Sequence, residues 1–200
     1  IAASPKNQYD NLSNIGPRFN VDDAATNKLA VIYTAEAYFL RAEGAVNGWN
    51  MGGTAKSLYE QGIAASMRMW GVTNAADIAA YTNGTGTPTA LTDYLNSPAV
   101  ASIPVLFAAD EATQREQIGT QKWLALFPDG IEAWAEVRRT GYPKLYPVAN
   151  SDNPDLAPNQ MIRRFTFQAG EYQTNGRAVQ AALPLLNGPD KASTRVWWNQ

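Results

Sequence analysis

The sequence predicts a mainly α fold: a helical hairpin joined to loop-rich and short-helix regions. Three observations carry this. Apolar residues recur at three- and four-residue steps over 27–47 and again over 54–70. Gly-Trp-Asn-Met-Gly-Gly, Gly48 to Gly53, separates the two runs as a flexible connector. Residues 121–145 then read as one amphipathic helix, a break at Pro128-Asp129-Gly130, and a second short helix ending at Gly141-Tyr142-Pro143.

Taken in order, residues 1–26 are polar and turn-rich, with Ser4-Pro5, Gly16-Pro17 and Asp22-Asp23, and read as an extended lead-in. The first helix is expected over 27–47, with Leu29, Ile32, Tyr33, Ala37, Leu40 and Gly44 as its apolar stripe. Ala35, Ala37, Ala42 and Ala45 leave room for a neighbouring helix. Thr54 is the expected N-cap of the second helix, whose inner side carries Leu58, Tyr59, Gly62, Ile63 and Met67 before Gly71 stops it. Ala55, Tyr59 and Gly62 stand at the small-large-small spacing of a tetratricopeptide (TPR) second helix, so 27–71 is expected to form a TPR-like hairpin.

Residues 72–110 form a loop-rich insert, with a short helix at 75–81 and strong turn chemistry from Thr82 to Pro88. A helical turn is expected at 92–95 and a short strand or extended segment at 100–107. A long helix over 111–127 follows, with Trp123, Leu126 and Phe127 on one stripe, and then the short helix carrying Trp134 and Arg138-Arg139. Residues 147–158 read as loop, 161–167 as extended, and Asn175-Gly176 opens a last helix interrupted by Pro184.

Composition bounds the chemistry. With 45% hydrophobic residues among 200, the chain can bury a core. Its formal net charge of −2 argues against a polyanionic partner, and its 16 basic residues form no stripe of the kind nucleic acid needs. Cys and His are both absent. That excludes disulfides, thiol catalysis, Cys-ligated metals and any Ser-His-Asp triad, and it removes the commonest general base. No apolar run is long enough to span a membrane.

Each candidate for chemistry has a structural rival. Glu132 and Glu136 lie one turn apart, but both sit on one helix, which leaves no second wall for a sugar, and Glu136 is three residues from Arg139. Asp152-Asn153-Pro154-Asp155 offers oxygen ligands, yet it lacks the Gly that a calcium loop needs at its bend. Arg138-Arg139 and Arg163-Arg164 suit an anion, or a network joining the helices to the C-terminal tail; the network is the favoured reading. Trp123 and Trp134 are expected in the core, and Trp49 and Trp70 at the ends of the hairpin. Trp197 and Trp198 are adjacent and cannot both point inward. No catalytic residue and no metal ligand is expected. The ligand-binding candidates are Tyr81, Asn83 and Tyr94, in or beside the turn-rich loop, because sugar sites combine an aromatic face with amide side chains.

Four segments in order resemble the SusD/RagB-like outer-membrane lipoproteins of Bacteroidetes-type bacteria, closest to the second SusD-like subgroup: residues 33–49, 50–72, 121–145 and 163–198, the last with its Arg-Arg, Glu171-Tyr172 and Thr174-Asn175 elements. The resemblance implies a SusD-like α-helical fold with TPR-like hairpins as scaffold. It makes 1–200 a single C-terminal domain or fragment of such a protein, with the lipid anchor and early repeats outside this segment. It further implies a surface-exposed outer-membrane location, no enzyme activity and no cofactor. The role implied is capture of oligosaccharide, or less often peptide, for a SusC-like TonB-dependent transporter. A TPR-like protein–protein scaffold without small-ligand binding is the alternative.

Overall fold

The computed structural model describes residues 31–92, 96–146, 148 and 151–199, together with Gly16 and Phe19. The chain divides into two units, Ile1–Ile32 and Tyr33–Gln200. In the first, Phe19 N–H donates to the Gly16 carbonyl at 3.1 Å. Apart from Val31 and Ile32, everything that follows concerns the second. Its described residues are helical or irregular, with no strand among them.

Helix α1 is Thr34–Val46 and helix α2 is Ala55–Met69. They form the expected hairpin, but α1 starts later than the apolar pattern suggested: Val31 and Ile32 are exposed and outside the helix, and Tyr33 is an extended N-cap. Residues 27–30, the start of the expected helix, lie outside the described residues. The stripe also has a different phase. Ala35, Phe39, Ala42 and Gly44 are buried, whereas Ile32, Ala37 and Leu40 are exposed. An Ala-rich helix with apolar residues on several sides leaves its phase to the partner surface, and here the partner selects Phe39.

That partner is Gly62 of α2. A Cβ added there would lie 2.7 Å from Phe39 Cε1, so only glycine admits the ring. Phe39 also meets Tyr59 edge-on, with centroids 6.1 Å apart. The inner face of α2, Leu58, Tyr59, Gly62 and Ile63, is as the sequence predicts, and Thr54 Oγ1 accepts from Ser57 N–H at 3.1 Å as its N-cap. The connector is locked by Arg41, whose guanidinium donates twice to the Met51 carbonyl, at 3.0 and 2.8 Å. Trp49 does not pack the hairpin end as expected; it is 64% exposed. Trp70 does pack, against Phe127 at 5.9 Å.

Helix α3, Ala75–Thr82, is capped by Asn74, whose Oδ1 accepts from Ala76 N–H at 2.9 Å. The turn expected at 92–95 falls mostly outside the described residues. Residues 100–107 are irregular, with bends at Val100, Val105 and Leu106, and form no strand. In place of a partner strand, Gln117 of the next helix donates to the carbonyls of Pro104 (2.9 Å) and Leu106 (2.8 Å) and accepts from Ala108 N–H (2.9 Å).

Helix α4, Glu111–Ala125, and helix α5, Gly130–Thr140, are capped by Asp110 and Asp129. Left-handed Gly141, at φ +79°, ends α5. Leu126 is fully buried, but Phe127 is half exposed and Trp123 and Trp134 are only half-buried, so the expected core tryptophans sit at its margin. Residues 161–168 are irregular. They lead to helix α6, Ala169–Thr174, which the sequence pattern did not predict, then helix α7, Gly176–Ala182, and a 3₁₀ turn at Leu183–Leu185.

The core gathers Ala35, Phe39, Ala42, Leu58, Tyr59, Ile63, Ile118 and Ala125 from α1, α2 and α4. Fully burying a side chain such as Phe39 contributes roughly 1.5–3 kcal/mol. Beside this core, Lys122 of α4 lies 2.9 Å from Glu136 of α5 and 3.6 Å from Glu36 of α1. Arg139 reaches Glu136 at 2.9 Å and Glu43 of α1 at 2.6 Å. This ion network joins three helices.

Candidate functional site

The loop-rich insert folds over α3 and α4 and leaves a cavity of 350 Å³ between them. Tyr59, Tyr81, Thr87, Ile103, Thr120 and Gln121 are among its walls. Helix α3 presents Tyr81 from its last turn, 39% exposed. Its hydroxyl lies 3.0 Å from Gln121 Nε2 and 3.3 Å from Oε1, so the phenol and the amide orient one another. Tyr59 is buried beneath and donates to the Val105 carbonyl at 2.8 Å. Burial, aided by the neighbouring Tyr81 and Glu60, pushes the Tyr59 phenol above its ordinary value of 10.0, so it stays neutral and remains a donor.

The wall is mostly apolar, with a few polar groups. An exposed phenol ring provides an apolar face, and Gln121, Thr87 and Thr120 provide an amide and hydroxyls. Such a set suits a ligand with alternating apolar faces and hydroxyl groups.

Of the residues singled out in the sequence, Tyr81 lines this cavity. Asn83 is the C-cap of α3; its amide donates to the Ala79 carbonyl at 2.8 Å, and it is not a wall. Tyr94 lies outside the described residues. Gln121 and Thr120 had no local signal: both sit on α4, and Gln121 is 40 positions from the Tyr81 hydroxyl it meets.

The other candidates take structural places. Glu136 is 3% exposed and held by Lys122 and Arg139, so it forms no open pair with Glu132. Asn153 Oδ1 accepts from Asp155 N–H at 2.9 Å, closing a turn, and no group of three or more acidic side chains able to hold a metal occurs among the described residues. Arg138 donates to the Arg163 carbonyl at 2.8 Å and stacks over Trp134 at 3.5 Å and Trp198 at 4.8 Å. Arg164 pairs with Asp190. These contacts form the helix-to-tail network favoured from the sequence.

Comparison with known proteins agrees with this architecture. The profile of the SusD-like family, described as Susd and RagB outer membrane lipoprotein, matches residues 2–199. A search of curated proteins gives no match. Among solved structures, a chitin-binding SusD homolog from Flavobacterium johnsoniae is 45% identical, with TM-score 0.74 over 83% of this chain and 36% of its own. A SusD homolog from Bacteroides ovatus is 39% identical, with TM-score 0.76 over 83% and 36%. One from Bacteroides thetaiotaomicron is 38% identical, with TM-score 0.73 over 82% and 37%. The chain therefore spans little more than a third of the length of these relatives. It belongs to the SusD-like family of outer-membrane lipoproteins.

Proposed function

We propose that this chain is part of a non-catalytic surface protein that captures oligosaccharides and hands them to a SusC-like TonB-dependent transporter. On this reading residues 1–200 form a C-terminal portion. The 27–71 hairpin is scaffold and the 72–110 insert is the ligand-facing part. The observation that carries the reading is the 45% identity to a relative described as chitin-binding. The Tyr81 cavity supports it, because a pyranose offers a C–H face to an aromatic ring and equatorial hydroxyls to amides. Peptide is the less favoured cargo, since no unpaired charged group among the described walls would hold a peptide terminus.

Titration calorimetry with chitotetraose tests the cavity. Saturable binding is expected, and Tyr81→Ala is expected to weaken it by about tenfold, the loss of one stacking contact. Binding unchanged in that variant, or no saturation with any neutral glycan, would overturn the assignment. Hand-over is tested separately by co-purification with a TonB-dependent transporter from solubilised outer membranes.

A further inference from the structure

The side chains of Arg163 and Arg195 take no part in the networks described so far. Arg163 and Arg195 line a second cavity, of 410 Å³, that shares no wall residue with the Tyr81 cavity. Arg163 and Arg164 are neighbours in an irregular stretch, where both backbone N–H groups donate to the Ala192 carbonyl, and their side chains go to different places. Arg164 turns inward to Asp190, and Arg163 faces the cavity. Ser193 and Arg195 are two apart on the tail and both line it. Tyr146, Asn159 and Gln160 are also among its walls, and among the described residues no acidic side chain is. Among the described residues neither guanidinium has an ion-pair partner. Burial, and then the charge of Arg195, hold the Arg163 guanidinium below its ordinary range, as expected for two cations sharing one space without an anion between them.

The backbone around both arginines is fixed. Arg163 N–H donates to the Ala192 carbonyl at 2.7 Å, and the Arg163 carbonyl accepts from Arg138 Nη1 at 2.8 Å. Thr194, beside Arg195, donates through Oγ1 to the Pro189 carbonyl at 2.5 Å and through N–H to the Lys191 carbonyl at 3.1 Å. The backbone that carries both arginines into the cavity wall is therefore held by bonds that leave their charged ends free for an anion. Guanidinium forks match the paired oxygens of a carboxylate or a sulfate. Tyr146, Asn159, Gln160 and Ser193 add a ring, amides and a hydroxyl suited to the rest of a sugar.

We propose that the cavity lined by Arg163 and Arg195 is a binding site for the oxyanion group of an acidic oligosaccharide, a uronic acid carboxylate or a sulfate ester. The site stands independently of whether the Tyr81 cavity binds neutral glycans.

Titration calorimetry of the chain with trigalacturonate, a carrageenan tetrasaccharide, inorganic sulfate and neutral chitotetraose tests it. Saturable binding of at least one acidic saccharide is expected, and which one it is names the source of the oxyanion. Affinity falls by at least about tenfold in Arg195→Gln and weakens further as salt rises from about 50 to about 500 mM. Chitotetraose binding stays unchanged in that variant, which separates this site from the Tyr81 cavity. Arg195 is exposed, so its replacement leaves the fold intact; Arg163→Gln is the second variant, with the melting temperature recorded for each. Absence of binding by both acidic saccharides, binding of inorganic sulfate alone, or affinity indifferent to Arg195→Gln would each overturn the proposal.

Discussion

Lys122 Nζ on α4 lies 2.9 Å from Glu136 Oε2 on α5, and both side chains are 3% exposed. The ammonium also serves Glu36 of α1 at 3.6 Å. One cation thus faces acids from two other helices, one fully buried and one at the margin of the core. Burial raises the Glu36 carboxyl above its ordinary range despite the lysine beside it, so desolvation there is the larger effect.

Lys122→Met leaves Glu136 buried with only Arg139 to balance it. Breaking a buried pair by removing one partner is expected to destabilise the fold by about 3–5 kcal/mol. Urea denaturation followed by circular dichroism reads this directly. The double variant Lys122→Met, Glu136→Leu should lose less than the sum of its single variants, because the stranded charge goes with the second change.

Gly62→Ala places a methyl where Phe39 Cε1 is 2.7 Å away. Overpacking of this kind is expected to lower stability by about 1–3 kcal/mol. Adding Phe39→Leu should recover part of the loss by vacating the space. A double variant no more stable than Gly62→Ala alone would show that the ring is not the obstacle.

Tyr59→Phe removes the hydroxyl that donates to the Val105 carbonyl at 2.8 Å. The partly buried carbonyl is left without that donor, at an expected loss of about 1 kcal/mol. The same phenol gives the wild type an alkaline dependence. Its folded pKa lies above the unfolded value of 10.0, so its contribution is complete below that value and is lost as pH rises past it. Melting temperatures taken upward from pH 9 should fall more steeply in wild type than in Tyr59→Phe.

Asp190 binds three partners: Arg164, the Tyr172 hydroxyl at 2.7 Å and Phe167 N–H at 3.2 Å. Burial opposes its charge, but these donors outweigh burial and hold the carboxyl below its ordinary 3.8. With the folded value depressed, the contribution is present above 3.8 and disappears as pH drops below it. Asp190→Asn is expected to lose about 3 kcal/mol at neutral pH and to flatten the acid limb of the stability curve. An acid limb as steep as the wild type's would assign that dependence to other carboxylates, Glu43 first, whose pairing with Arg139 outweighs burial and lowers its carboxyl too.

The sequence disclosed what is local. The inner face of α2 was legible because Leu58, Tyr59, Gly62 and Ile63 keep one period behind a Thr cap. The caps at Asp110 and Asp129 and the stop at Gly141 follow the same local rules. The phase of α1 was not legible, since alanine marks no face and the pocket above Gly62 decides which aromatic turns in. Helix α6 escaped notice because Ala-Gly-Glu-Tyr-Gln-Thr has no apolar period, and none of its residues is buried. The pairing of Arg139 with Glu43 spans 96 positions, and Gln121 meets Tyr81 across 40. No spacing rule reaches across such gaps; only the packing of α1, α3, α4 and α5 brings those residues together.

Arg138 has a wider consequence. Its guanidinium sits over Trp134 and Trp198 and holds the Arg163 carbonyl, and its own carbonyl accepts from the Asn199 amide. The path of the irregular tail is thus drawn by a helix residue and by bonds to main-chain atoms. Arg164, Asp190, Thr194 and Asn199 fix that path with their side chains as well, whereas the side chains of Ser193 and Arg195 line the cavity without bonding to it. Exchanging Ser193 or Arg195 would recolour the wall of a cavity while its outline stayed the same. Single substitutions there would change the charge of the cavity wall with no helix rebuilt.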